Sequence, residues 1–218
     1  MRDFPMFTTE FGVASLILKE VPYRQEAYII LQSTQQPAEL LRECVSFCRM
    51  VGAEKIYARG HEITEGYPLH CIVYEMRGEI PVDEGKVDNL WPVTEETVAR
   101  WREFLNEKMR PIDNAGTMEQ KDERDILASN GAYFVHREGQ LLGAGWLVDG
   151  ELKLIAAAEK GMGERVLHTL LSVSEPEQIR LEVVSTNERA VRFYEKMGMV
   201  KTKELRCWYR VGETEHSL

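Results

Sequence analysis

From Phe11 to Ser33 the apolar residues alternate or run together, with a break at Pro22-Tyr23-Arg24-Gln25-Glu26. This pattern predicts two strands, Gly12–Val21 and Ala27–Gln32, joined by a turn. The period then lengthens. Leu40, Leu41, Cys44, Val45, Phe47, Cys48 and Val51 recur at helical spacing behind Pro37, which suits a first turn, and Gly52 supplies a C-terminal stop. Two further strands are predicted over Lys55–Arg59 and Leu69–Met76. Residues Arg77–Trp91 contain Gly78, Pro81, Gly85 and several acids without periodicity, the composition of a linker. The pattern therefore divides the chain into residues 1–88 and 89–218.

The second part opens with Thr94-Glu95-Glu96-Thr97, a capping pattern ahead of Val98, Trp101, Phe104, Leu105 and Met109, and Pro111 should end that helix. A short helix is predicted over Met118–Ala128. Ala132–Arg137 and Gln140–Val148 read as a hairpin around Glu138-Gly139, and Asp149-Gly150 as a turn into a strand over Leu152–Ala157. Next, Gly161-Met162-Gly163 leads into a helix with Val166, Leu167, Leu170 and Leu171 on one stripe, followed by a strand, Ile179–Val184. Strand, glycine turn, helix and strand in this order make a parallel crossover, which puts the turn at the carboxyl end of a strand. A helix over Asn187–Met197, closed by Gly198, and a last strand over Glu204–Val211 complete the α/β pattern. The strand, helix, strand, strand order of Ala27–Met76 echoes that of Leu152–Val211, without a Gly-x-Gly turn, and this implies a structural duplication.

Composition narrows the partners. The 218 residues carry a net charge of −9 and no basic arm, whereas a nucleic-acid or anionic membrane surface needs clustered Lys and Arg. Neither partner is expected, and a cationic amine is tolerated. Cys44, Cys48, Cys71 and Cys207 include no CxxC pair, and His61, His70, His136, His168 and His216 show no ligand spacing, so neither a metal site nor a disulfide framework is expected. Cys44 and Cys48, one helical turn apart, read as small residues of a buried face. No stretch has the length and apolarity of a signal or spanning helix, so a cytoplasmic location is expected.

The candidate chemistry lies in the second part. Gly161-Met162-Gly163 lets successive backbone N–H groups face one anion, with the positive end of a helix dipole behind them. The same turn also suits plain close packing. A dinucleotide fold would find an acid at Glu182, but its third glycine position is Val166, and Glu182 lies inside its strand rather than at the end. Glu182 is either a carboxylate in a strand cleft or a solvent-facing residue opposite Leu181 and Val183. Tyr194 is either a proton donor or a core tyrosine, and Asn187 suffices as a helix N-cap.

Leu181-Glu182-Val183-Val184-Ser185-Thr186-Asn187, with Ala190, Tyr194 and Gly198, resembles the closing motif of the GNAT superfamily of N-acetyltransferases. The likeness is nearest to the ribosomal-protein N-terminal acetyltransferase branch and covers about residues 95–211. It implies the GNAT acyl-CoA N-acyltransferase fold with a mixed sheet and two GNAT-like lobes, the N-terminal one degenerate. It also implies acetyl-CoA as cosubstrate and direct acetyl transfer to a primary amine, on a small molecule or peptide. By the resemblance, Gly161, Met162, Gly163 and Glu164 hold the coenzyme pyrophosphate, and Ile155, Ala156 and Ala157 pair with the pantetheine arm. Asn187 contacts that arm, Tyr194 is the acid that protonates the leaving thiolate, and Glu182 is the general base. Ala158 stands where relatives carry Arg or Gln, which removes one phosphate contact. The alternative is a non-catalytic acyl-CoA-binding or sensing module. A monomer with the lobes as a pseudo-dimer, or a homodimer, fits the duplication.

Overall fold

The computed structural model describes residues 5–173 and 177–212. They divide into two compact units, one comprising residues up to Val73 together with those from Leu205 onward, the other running from Tyr74 to Glu204. The boundary expected between residues 88 and 89 therefore falls inside the second unit.

The first unit contains β1 (Met6–Thr9), β2 (Gly12–Ile17), a one-turn helix α1 (Val21–Arg24), β3 (Glu26–Thr34), α2 (Pro37–Met50) and β4 (Lys55–Arg59). It also holds the first half of β5 (Leu69–Gly78) and the second half of β11 (Val200–Arg210). Its sheet runs β1-β2-β3-β4-β11. β3 and β4 are parallel, with α2 as their crossover, and pair at five successive positions from Glu26 opposite Lys55 to Ile30 opposite Arg59. The apolar stripe of α2 (Leu40, Leu41, Cys44 and Cys48) packs on Ala27, Ile29, Leu31, Ile56 and Ala58. Burial pushes the Cys48 thiol up to about 11. Cys44 is pushed up to about 12 by burial first and then by Cys48 and Glu43, so both thiols stay protonated and inert at neutral pH.

The opposite face of this sheet is aromatic and polar. Tyr28, Tyr57 and Trp208 are buried there, and Tyr28 packs 5.0 Å from Trp208 and 5.3 Å from Tyr57 between ring centroids. Tyr57 in turn stacks on His70 at 4.1 Å. Glu26, 1% exposed, accepts a hydrogen bond from the Tyr28 hydroxyl at 2.8 Å and pairs with Arg24 at 3.2 Å and Lys55 at 3.5 Å. A buried carboxylate is tolerable when its oxygens are occupied in this way.

The second unit contains β6 (Asn89–Pro92), α3 (Val98–Met109), α4 (Glu123–Ala128), β7 (Ala132–Arg137), β8 (Gln140–Val148) and β9 (Glu151–Ala157). α5 (Gly163–Leu171), β10 (Ile179–Val184) and α6 (Glu188–Lys196) follow. Its sheet includes the run β6-β7-β8-β9-β10. Glu138-Gly139 and Asp149-Gly150 take positive φ at both positions (50° and 82°, 49° and 72°), the turn geometry that joins β7 to β8 and β8 to β9 directly. α3 covers one face with Val98, Trp101 and Leu105 against Ala132, Ala144 and Ala156. α5 covers the other with Val166, Leu167, Leu170 and Leu171, each no more than 1% exposed. It lies close because β8 presents glycines to it. A Cβ on Gly143 would sit 2.4 Å from the Ala156 carbonyl oxygen and 2.7 Å from Val166 Cγ2, and one on Gly145 would sit 2.3 Å from Leu170 Cδ1.

Several elements differ from the pattern-based expectation. The strand expected over Gly12–Val21 stops at Ile17, because Pro22 fixes a helical first turn and Val21–Arg24 coils instead. Met6–Thr9 is an additional strand. The supposed linker holds a 3-10 turn, Glu84–Lys86, and the strand β6, whose Leu90 pairs opposite Val135. The helix expected over Met118–Ala128 is a 3-10 turn at Gln120–Asp122 running into α4. The last strand starts at Val200, and its end pairs with β4 of the first unit, Tyr209 opposite Ala58, rather than closing the second unit.

Gly143→Ala should lower stability by about 1–3 kcal/mol, because a backbone carbonyl cannot move aside as a flexible side chain can. Urea unfolding checks this; an unchanged midpoint would show that α5 does not need the close approach.

Candidate functional site

In the second unit a cleft of about 640 Å³ opens at the carboxyl end of β9. β9 and β10 are parallel but meet at one position only, Arg180 opposite Glu151. Beyond it the strands part, and Ile155, Ala156 and Ala157 of β9 form one wall of the cleft. On its other edge β9 stays paired with β8 through Gly143 opposite Ala157. The floor is the turn into α5, where Gly161 has φ of 96° with open space where a side chain would stand. Gly163 and Glu164, which open α5, line the cleft too. The N–H groups of a first helical turn have no acceptor within their own helix, so they can receive an anion.

The far wall comes from α6. The Asn187 side chain accepts a hydrogen bond from the Ala190 N–H at 3.2 Å and so caps the helix, whose apolar side brings Ala190, Phe193 and Tyr194 to the cleft. Tyr194 is 8% exposed, and burial alone holds its phenol above the usual value. At neutral pH it keeps its proton.

Two residues singled out in the sequence lie elsewhere. Met162 does not line the cleft; it packs toward the core, and its N–H donates to the Glu159 carbonyl at 3.3 Å. Glu182 is exposed on β10, between buried Leu181 and Val183, and is not part of these walls.

Four cations that the motif did not indicate also line the cleft: Lys108, Lys160, Arg189 and Lys196. Lys108 arrives from the last turn of α3 and donates to the Ala158 carbonyl at 2.9 Å. Positive charge thus gathers beside Ala158. Only the proximity of Lys160 and Arg189 to the glycine turn and the Asn187 motif could have signalled them. Lys108, 50 residues from its partner, left no sequence signal.

Glu164 is held by Lys86 at 2.7 Å and Lys196 at 3.4 Å, and the Lys86 hydrogen bond in particular keeps its carboxyl below the ordinary range. Lys86 belongs to the segment before β6, which is strapped along α5. Asp88 pairs with Arg165 at 2.9 Å and Arg137 at 2.7 Å, and its N–H donates to Thr169 Oγ1 at 2.9 Å. The Asp83 N–H donates to His168 Nδ1 at 3.2 Å, so that nitrogen must be unprotonated. His168 is 4% exposed, and burial, with Lys86 adding to it, lowers its pKa below 6.5.

Among the described residues of the first unit, the corresponding strands do not part. β3 and β4 stay paired at all five positions, and α2 begins with Pro37, which has no N–H to offer.

No protein-family model and no curated protein matches the chain in sequence. Solved structures do match in shape. A functionally unknown conserved protein from Staphylococcus epidermidis aligns over 95% of this chain and 93% of its own at 11% identity and a TM-score of 0.55. A GNAT-family acetyltransferase from Colwellia psychrerythraea aligns over 94% and 84% at 13% identity and a TM-score of 0.52. A tandem GNAT protein from the clavulanic acid biosynthesis pathway aligns over 92% and 77% at 10% identity and a TM-score of 0.51. The chain has the GNAT fold. Among the described residues, no helix is long and apolar enough to cross a membrane.

Because His168 is harder to protonate folded than unfolded, the unfolded chain takes up the extra proton as pH falls below about 6.5. Stability should therefore decline from that pH downward until the lowered folded pKa is passed. Urea midpoints measured between pH 7.5 and pH 5 check this; His168→Gln should flatten the decline, and an identical slope in that variant would contradict it.

Proposed function

We propose that the protein is an N-acetyltransferase that moves the acetyl group of acetyl-CoA directly to a primary amine, on a small molecule or peptide. The observation that carries this reading is the parting of β9 from β10 over a cleft that combines the α5 N-terminus with a buried phenol. The residues fit the cosubstrate. Gly161, Gly163 and Glu164 offer backbone at the helix start for the pyrophosphate, with Lys160, Arg189 and Lys196 supplying countercharge. The free edge at Ile155–Ala157 suits the amides of a pantetheine arm, and Asn187 faces the same space. Met162 contributes through its place in the turn.

The neutral amine attacks the thioester carbonyl carbon, and the carbon–sulfur bond breaks. Tyr194 gives its proton to the departing sulfur, and Glu182, directly or through water, takes the proton lost by the amine. Support for Tyr194 is its position on the cleft and its raised pKa, which keeps the proton on the oxygen until it is needed. For Glu182 the support is the motif spacing and its exposed carboxylate on the strand that borders the gap. Residues 1–88, in which β3 and β4 stay paired and no Gly-x-Gly turn occurs, are the degenerate, structural lobe, and residues 89–218 the acetyltransferase domain. The second reading, a non-catalytic acyl-CoA-binding module, rests on Ala158 and keeps the same cleft without turnover.

Calorimetric titration with acetyl-CoA, then thiol release assayed over a panel of amino acids, polyamines and peptides, tests the proposal. Binding with turnover is expected; binding with no turnover for any amine would favour the module. Tyr194→Phe should lower kcat by about 10²- to 10⁴-fold while leaving acetyl-CoA affinity unchanged. Since burial raises the phenol above 10.0, the rate should show no loss from its ionisation up to that pH. Glu182→Gln should lower kcat as well; an unaltered rate would assign the amine proton to water alone.

A further inference from the structure

The aromatic face of the first unit carries groups that nothing in the acetyl-transfer reading uses. Tyr209 opposite Ala58 fixes the register between β11 and β4, and this puts Trp208 next to Arg59 on the face away from α2. The Arg59 guanidinium carbon lies 5.3 Å from the centre of the Trp208 ring. Trp208 is 96% buried by its 4% exposure, yet its indole N–H finds no hydrogen-bond acceptor among the described residues. Arg59 Nε is enclosed nearby in the same condition.

Two buried donors side by side without acceptors are unusual, because native interiors pair nearly all such groups. Neither side chain can act as an acceptor, so they cannot satisfy one another. The carboxylate on this face, Glu26, is already occupied by Tyr28, Arg24 and Lys55. Arg59 has no ion pair among the described residues, and the charge of Arg206 presses on it, adding to its desolvation. All these groups belong to one unit, Arg24 on α1 and the others on β3, β4 and β11.

We propose that Arg59 and the Trp208 indole N–H form a carboxylate-binding site on this face of the first unit, separate from the cleft assigned to acetyl-CoA. A carboxylate fits on three grounds. It accepts only, as the two donors require. Its planar pair of oxygens matches the guanidinium fork, leaving one oxygen lone pair for the indole. As a monoanion it loses less hydration than a phosphate dianion when brought against Tyr57 and Trp208, and it relieves the repulsion between Arg59 and Arg206. The Arg59 side chain, only partly buried, turns its fork onto the ligand as the ligand arrives.

The test uses the full-length protein labelled with ¹⁵N and follows the indole N–H resonance of Trp208, assigned with Trp208→Phe. The probes are sodium acetate, sodium benzoate and inorganic phosphate, each at constant ionic strength against chloride. A saturable downfield shift with acetate or benzoate is expected. Arg59→Gln should weaken it about 10- to 100-fold, as removal of a charged hydrogen-bond partner does. Should that variant fold poorly by circular dichroism, Arg59→Lys keeps the charge, loses the fork and should still weaken binding. An unmoved resonance, a response matched by chloride, or full affinity in a folded Arg59 variant would overturn the site. A stronger response to phosphate than to either carboxylate would overturn the ligand class. Acetyl-CoA turnover is not read in this experiment, so its outcome is independent of the acetyltransferase reading.

Discussion

β9 and β10 run side by side and meet once, at Glu151 and Arg180, after which the backbone of β9 has no parallel partner on that edge. Backbone amides and carbonyls withdrawn from water without partners are costly, so the edge at Ile155–Ala157 is stable only where it faces water or a ligand able to hydrogen-bond. That requirement gives the second unit its cleft. It also explains why the glycines of β8 matter at a distance: Gly143 and Gly145 let α5 settle on the sheet, and the height of α5 decides where its first-turn amides point. A helix lifted off the sheet by even one methyl group would carry those amides away from the opening.

The first unit shows what the same order of elements becomes without that parting. β3, α2 and β4 repeat the strand, helix, strand arrangement, but the strands remain paired for their shared length and the helix begins with proline. Backbone groups that would line a cleft are consumed by the ladder. The polar character of this unit moves instead to side chains on the face away from α2, where Glu26 is fully engaged while Arg59 and Trp208 keep unused donors.

Charge around the cleft of the second unit is assembled from separate parts of the chain. Lys108 ends α3, Lys160 precedes the glycine turn, and Arg189 and Lys196 lie on α6. Glu164 would oppose an anion at the helix start were it not held by Lys86 and Lys196. The strap from Asp83 to Asp88 therefore has an electrostatic part to play: it brings Lys86 to neutralise a carboxylate that lies within the first turn of α5.

Much of this could be read from the chain directly. The helical stripes of α2 and α5 and the paired turns at Glu138-Gly139 and Asp149-Gly150 depend on interactions a few residues long, and the structure shows them in place. The residues of the closing motif were visible too, and all those assigned to the cofactor or to catalysis line the cleft except Met162 and Glu182. Other features left no local trace. The pairing of β11 with β4, the strap along α5 and the arrival of Lys108 beside Ala158 join residues tens to more than a hundred positions apart. Periodicity says which side of a strand is apolar, but it is indifferent to which neighbour completes the ladder. That choice is made by packing across the whole unit, and it also decides which charges converge and which donors are left without acceptors.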